Sequence, residues 1–337
     1  MKKYISIYFA VFLLLPALLI LCLTLLSGCG TSDSSRKTVR LNEVAHSIFY
    51  APMYVAIEEG YFEEEGLTIE LTTGFGADKT MTALLSGEAD IGFMGPESTI
   101  YTYQEGNTDY AVNFAQLTQR AGNFLVSREK IDDFDWDMIR GKDIIGGRKG
   151  GMPQMILEYV LKLKGMDPAK DVNLVQNIDF ANTSGAFTGG TGDFTVEFEP
   201  QASLLEEQGT GYVVASLGVE SGYVPYTCFS AKKSYIEKSP EIIQSFTNAI
   251  QKGMDYCAEH DSEEIAKIIK PQFPDTNLEL LTKIVERYAA QDSFKENPIF
   301  EEDSFMLLQN ILSEAGELKQ EVPYEDLVTN EFAKKVK

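Results

Sequence analysis

The regular alternation of strand-like and helix-like stretches from about residue 38 to residue 200 constrains this chain more than any other feature. Thr38 to Val44 alternates polar and apolar residues and predicts a first strand; a loop at His46 to Ala51 follows, and then a helix entered at Pro52. That helix ends near the glycines Gly60 and Gly66, Leu67 to Thr73 predicts a second strand, and Gly74-Phe75-Gly76 a glycine turn. Asp78 is placed to cap the next helix, which closes at Gly87. Ile91-Gly92-Phe93-Met94 carries no charge, as suits a central strand buried on both faces. Gly95-Pro96-Glu97-Ser98 then turns into another helix, and Val112 to Gln119 predicts a fourth strand. Strand followed by helix, repeated, builds a mainly parallel α/β sheet.

The middle of the chain repeats the order. Asp143 to Gly146 predicts a strand, Gly147 to Gly151 a loop, Pro153 the start of a helix ending at Gly165, and Val172 to Val175 another strand. Ala83, Gly87, Asp90, Ile91 and Phe93 match Ala186, Gly190, Asp193, Phe194 and Val196 at one constant offset, a faint echo between two halves. From Pro240 onward, Ile242, Ile243, Phe246 and Ile250 fall at helical spacing, and these helices are expected to pack on the first half.

The first thirty residues have a different purpose. Lys2 and Lys3, an apolar run from Tyr4 to Leu26, and then Leu26-Ser27-Gly28-Cys29 read as an export signal ending in a lipid-attachment cysteine, with residues 1–28 removed and residues 29–37 forming a lipidated tether. An uncut membrane helix is the alternative, since about 20 apolar residues span a bilayer. Both place the remainder outside the cytoplasm, because the lysines stay inside. The formal net charge of −22 excludes nucleic-acid binding, which needs basic side chains to neutralise phosphates, and is explained by solubility alone. Cys228 and Cys257 are read as buried and unpaired. With only His46 and His260 in the chain, a zinc site of several imidazoles is excluded, and neither a metal nor a cofactor is expected.

Glu59-Gly60-Tyr61-Phe62, Glu65-Gly66-Leu67, the run Ala83-Leu84-Leu85-Ser86-Gly87-Glu88-Ala89-Asp90-Ile91-Gly92-Phe93 and Phe198-Glu199-Pro200 resemble the signature of one family. It comprises the substrate-binding proteins of ABC importers for nitrate, sulfonates, taurine and thiamine-pyrimidine precursors, the SsuA/THI5-like or NMT1-like group. The resemblance implies a two-lobed periplasmic-binding-protein fold of type II, each lobe a mainly parallel sheet with flanking helices. Residues 38–125 plus 226–337 would form lobe one and residues 126–225 lobe two, with the ligand between them. It also implies a monomer tethered outside the membrane that delivers a small solute to a permease and its ATPase.

Open parallel sheets bind ligands at the carboxyl ends of their strands. Those ends supply the cleft candidates: Ser47, Phe49 and Tyr50; Phe75, Gly76 and Ala77; Gly95, Pro96 and Glu97 in lobe one, and Lys149, Gly150, Gly151, Met152, Phe198 and Glu199 in lobe two. Arg120 and Asn123 lie near the first crossing and Tyr226 near the second. Gly146 to Gly151 has the glycine spacing of a phosphate loop, but Met152-Pro153 stands where lysine and a hydroxyl are needed, so it is not a nucleotide loop. It offers either backbone N–H groups to a ligand or merely a tight turn. Glu97 and Glu199 either complement a helix dipole or accept hydrogen bonds from a ligand amino group. A carboxylate would repel sulfonate or nitrate and favour an aminopyrimidine, on which Phe49, Tyr50, Phe75 or Phe198 could stack. Core packing is the alternative for each of these rings, more so for Phe198 than for Phe49. His46 is expected beside the site rather than in it, and Arg120 either pairs with an anionic ligand or bridges the lobes. The readings to separate are a binding module without turnover, an enzyme related to the thiamine-pyrimidine synthases, and a tethered solute sensor.

Overall fold

The computed structural model describes residues 36–336, so the expected export signal, Cys29 and all but the end of the expected tether lie outside the described residues. Two five-stranded sheets organise the rest. The first runs in the order β2 (Leu67–Thr73), β1 (Lys37–Glu43), β3 (Ile91–Met94), β10 (Thr227–Lys232), β4 (Ala111–Thr118). The second runs β7 (Asn173–Val175), β6 (Asp143–Ile145), β8 (Phe194–Glu197), β5 (Phe124–Ser127), β9 (Tyr212–Ser216). Ile91 and Phe194, the pair at the centre of the sequence echo, fall on the third strand of each.

One strand in each sheet runs against the other four: β10 is antiparallel to β3 and β4, and β5 to β8 and β9. The reason lies in the route of the chain. Both strands follow directly on a crossing from the other lobe, so they start at the edge where the parallel strands end. β3 and β8, each flanked by strands on both sides, are buried throughout, and Ile91-Gly92-Phe93-Met94 has no charge to solvate.

The helices after residue 239 are not confined to the first lobe as expected. Pro240–Glu259 packs on Ala51–Glu58 in lobe one, and Gly253 permits the close crossing, since a Cβ there would stand 2.1 Å from the Pro52 carbonyl oxygen. Glu302–Glu314 instead packs on Met152–Leu163 of lobe two. Leu278–Ala290 touches Ile48–Tyr50 in lobe one and reaches lobe two through Arg287, which pairs with Glu199 and Glu206. A helical-period pattern shows which face is apolar, not which partner it meets. Cys228 is buried and Cys257 half-buried, and both are free thiols. Among the described residues no helix is long and apolar enough to cross a membrane.

Candidate functional site

A cavity of about 170 Å³ lies where the strand-to-helix turns of the two sheets face each other. The turn after β1 contributes Val44, Ala45, Ser47 and Tyr50; the turn after β2 contributes Phe75, Gly76, Ala77, Asp78 and Lys79; the turn after β3 contributes Gly95 and Glu97. From lobe two come Gly147, Arg148, Gly151, Met152 and Pro153, then Asp179 and Phe198, and the second crossing adds Tyr226 and Thr227. A dry cavity of about 150 Å³ accepts a benzene ring, so this one has room for a single small ring or its equivalent.

Glu97 is the chemical centre of the lining. It opens the helix Glu97–Gln104, is 2% exposed, and its Oε2 has no hydrogen-bond partner. Burial pushes its carboxyl up to about 8, against a backbone hydrogen bond that lowers it. The side chain curls back over Gly95, where an ideal Cβ would stand 2.0 Å from Oε2, so no larger residue leaves that carboxyl in place. Tyr226 is the second buried group in the lining with an unpartnered polar atom, its hydroxyl. Burial first, then Tyr50 and Glu97, hold that hydroxyl far above its ordinary ionisation range. An unpaired polar group in a protein interior costs about 1 to 3 kcal/mol, and two facing one cavity are groups awaiting a partner.

The walls around them are aromatic. Tyr50, Phe198 and Tyr226 are buried side chains, whereas Phe75 is 60% exposed at the mouth. Its backbone is left-handed, with φ 57, an arrangement that a bulky residue holds only under constraint. Three contacts draw the lobes together around the cavity. Ser47 Oγ donates to the Glu199 carbonyl at 2.9 Å, Tyr101 Oη donates to the Gly150 carbonyl at 3.0 Å, and Arg148 pairs with Asp78 at 2.7 Å.

Several sequence candidates stand off the cavity. Phe49 is fully buried behind it, its ring 5.0 Å from Tyr288, 5.7 Å from Tyr226 and 6.0 Å from Phe198. Phe198 reaches the lining and Phe49 packs the core, the opposite of the order in which core packing is expected for the two rings. Pro96 does not line it, and Gly150 lines a neighbouring groove with Tyr101. Asn123 is buried with both side-chain polar atoms unpartnered, yet it does not line the cavity. Glu199 accepts from the Ser203 N–H and hydroxyl, each at 2.9 Å, and pairs with Arg287, so its carboxylate serves the fold.

Arg120 stacks 3.9 Å from the Tyr223 ring and donates to the Gly218 carbonyl, and Lys149 is exposed near Glu317. His46 stands beside the cavity with both ring nitrogens engaged, by Glu43 at 2.8 Å and the Gln272 carbonyl at 2.9 Å. Burial lowers its pKa and these partners more than offset that, leaving it raised. Sequence reasoning missed Asp78, Lys79, Arg148 and Asp179 in the lining. Asp78 was legible only as a helix-start residue, and Arg148 sits inside a glycine loop read for its backbone. Among the described residues no group of three or more His, Cys, Asp or Glu side chains is disposed to hold a metal.

Known proteins share this architecture. The protein of Bacillus subtilis (strain 168) named "Putative binding protein YtlA" is 48% identical over 311 residues, 92% of this chain and 93% of its own. The alkanesulfonate-binding protein SsuA from Xanthomonas axonopodis pv. citri, solved bound to MOPS, superposes with a TM-score of 0.70 at 17% identity, over 87% of this chain and 98% of that one. The periplasmic nitrate-binding protein NrtA from Synechocystis PCC 6803 gives a TM-score of 0.70 at 16% identity, over 89% and 88%. At such identities these two likenesses speak for the fold: an α/β periplasmic-binding-protein fold of two lobes. The family model described as NMT1/THI5 like matches residues 48–264, and with the extent of the YtlA match this establishes that the chain belongs to the NMT1/THI5-like family.

Proposed function

We propose that this protein is the solute-binding component of an ABC importer, held outside the membrane by lipid on Cys29, and that its solute is a small planar molecule bearing N–H donors, of the aminopyrimidine type. The observation that carries the ligand class is Glu97, a buried carboxyl with an unpartnered oxygen in an aromatic-walled cavity. A carboxylic acid meets an aminopyrimidine in two parallel hydrogen bonds, N–H to carbonyl oxygen and O–H to ring nitrogen. Tyr50, Phe198 and Tyr226 supply faces for the ring. Sulfonate or nitrate, for which two proteins of similar structure are named, would find in neutral Glu97 a single O–H donor and would be repelled as that carboxyl ionises. The protein binds without turnover: His46, the histidine nearest the cleft, has both nitrogens committed to Glu43 and Gln272.

A thermal-shift screen against aminopyrimidines, thiamine, taurine, alkylsulfonates and nitrate tests the reading. A ligand at about 100 times its dissociation constant adds roughly 2.7 kcal/mol to stability. Stabilisation by aminopyrimidines that disappears in Glu97→Gln is expected; stabilisation by sulfonates with none by aminopyrimidines overturns the ligand class. Time-dependent conversion of bound solute, lost in His46→Ala, would overturn the absence of turnover. Mass spectrometry of the membrane-extracted protein tests the anchor, since an unmodified Cys29 rules it out.

A further inference from the structure

A second chamber of about 250 Å³ adjoins the cleft cavity and shares Ala45, Ser47, Phe75 and Phe198 with it as a common wall. Three ionisable side chains line the chamber: His46, Glu197 and Glu199. Two of these are already matched in charge. His46 is paired with Glu43, and Glu199 with Arg287. Glu197 is different. It is 3% exposed, and its two oxygens take hydrogen bonds from Thr195 Oγ1 at 2.7 Å and Thr183 Oγ1 at 3.0 Å, which fix its direction. Among the described residues no cation pairs with it.

A carboxyl oriented by two hydroxyls, buried in a cavity wall and lacking a counter-charge, resembles Glu97 in the neighbouring cavity. Burial raises both, Glu97 to about 8 and Glu197 to about 7, because neither has a cation to offset its desolvation. A carboxylate retains acceptor sites beyond two hydrogen bonds, so Glu197 can receive a further donor without losing its threonines. We propose that the second chamber is a subsite for a cationic or N–H-donating substituent of the cleft ligand, anchored by Glu197. This rests on the reading of the cleft as the site of a nitrogen-bearing solute. The ligand class is thereby narrowed to a two-part molecule, with a ring at Glu97 and a positively charged or amino-bearing extension that passes the shared wall of Ser47, Phe75 and Phe198. Phe75, exposed at the mouth, is the wall residue with room to swing aside.

Calorimetry on the full-length protein with two probes decides the matter: 4-amino-5-hydroxymethyl-2-methylpyrimidine, a ring alone, and thiamine, which joins a similar ring to a thiazolium cation. Thiamine is expected to bind at least ten-fold more tightly than the ring alone. Glu197→Gln should reduce that ratio to near one while leaving the ring's affinity within two-fold. Ser184→Trp, which puts a bulky side chain in the chamber lining while keeping Glu197, should do the same and stands in if Glu197→Gln fails to fold. Equal affinities in the wild type, or a ratio unchanged in the folded variants, overturn the subsite. If the ring alone does not bind, the aminopyrimidine reading of the cleft falls by itself, and tetramethylammonium then tests the chamber. Thermal stabilisation by that cation, absent in Glu197→Gln, supports the subsite, and no stabilisation refutes it.

Discussion

Glu97 and Glu199 occupy comparable places, each in the turn that leads from the central strand of its sheet into a helix, each next to a proline and each buried. Their surroundings differ in one respect. Glu199 has a cation, Arg287, and two hydrogen bonds from Ser203, whereas Glu97 keeps one oxygen without a partner at a cavity wall. The same local position is thus spent on holding the molecule together in one lobe and left open in the other. Arg287 makes the difference, since it arrives on the helix Leu278–Ala290 and ties that helix to lobe two.

The contrast breaks most visibly under mutation. Glu199→Ala leaves Arg287 to Glu206 alone and takes the acceptor from the Ser203 N–H and hydroxyl, and losing hydrogen bonds to a buried charged group costs about 1.5 to 3 kcal/mol, which urea denaturation will read. Glu97→Gln should change stability far less. If Glu199→Ala costs no more than Glu97→Gln, the two residues do not differ as described. The next largest effect is in the pH dependence. The folded-state pKa values of Glu97 and Glu197 are raised to about 8 and about 7 from an ordinary value of 4.5, so the native state keeps protons that the unfolded chain releases. Their contribution is fully present below about pH 4.5 and is lost as pH rises towards 8, at up to about 1.4 kcal/mol per pH unit for each group. Stability of the empty protein measured between pH 5 and 8.5 should fall more steeply in the wild type than in Glu97→Gln. Parallel curves would mean that Glu97 is not held neutral by burial.

Binding gives a smaller effect with sharper meaning. Gly95→Ala places a methyl group where the Glu97 carboxyl lies, so the carboxyl must leave its position. Leaving a buried polar group without its hydrogen-bond partner costs about 1 to 3 kcal/mol, so ligand affinity in both Gly95→Ala and Glu97→Gln should drop roughly 5- to 100-fold. Full affinity in Gly95→Ala would show that the carboxyl does not need that cradle.

Much of this architecture is legible in local pattern. Charge-free Ile91-Gly92-Phe93-Met94 marks a doubly covered strand, and the glycines after strands mark the turns that line the cavity. What local pattern does not carry is the choice of partner across long separations. Nothing near Glu199 announces Arg287, and nothing near Phe49 announces that Tyr288 will seal it into the core while Phe198 is left on the cavity. The helices after residue 239 display an apolar face clearly, yet one lies on lobe one, another on lobe two, and a third ties the two together. Arg148 was hidden differently: a glycine loop invites attention to its backbone, and the neighbouring Lys149 has the same charge but turns out exposed.

The Asp78–Arg148 pair supplies the smallest expected effect and tests whether lobe contacts and ligand contacts are separate. Its side chains are each 51% exposed, and the Arg148 hydrogen bond holds Asp78 below the usual carboxylate range. Such exposed pairs contribute about 0 to 1 kcal/mol and weaken with salt. The pair joins the turn after β2 to the loop after β6, so it favours the arrangement in which the lobes enclose the cavity. Asp78→Asn should therefore leave global stability almost unchanged and weaken ligand affinity a few-fold at low salt, with the deficit shrinking as salt is added, because the wild type loses the same attraction. A deficit beyond about ten-fold exceeds what an exposed pair can contribute. Asp78 would then be touching the ligand, and the unpaired carboxyl of Glu97 would share its task with a paired one.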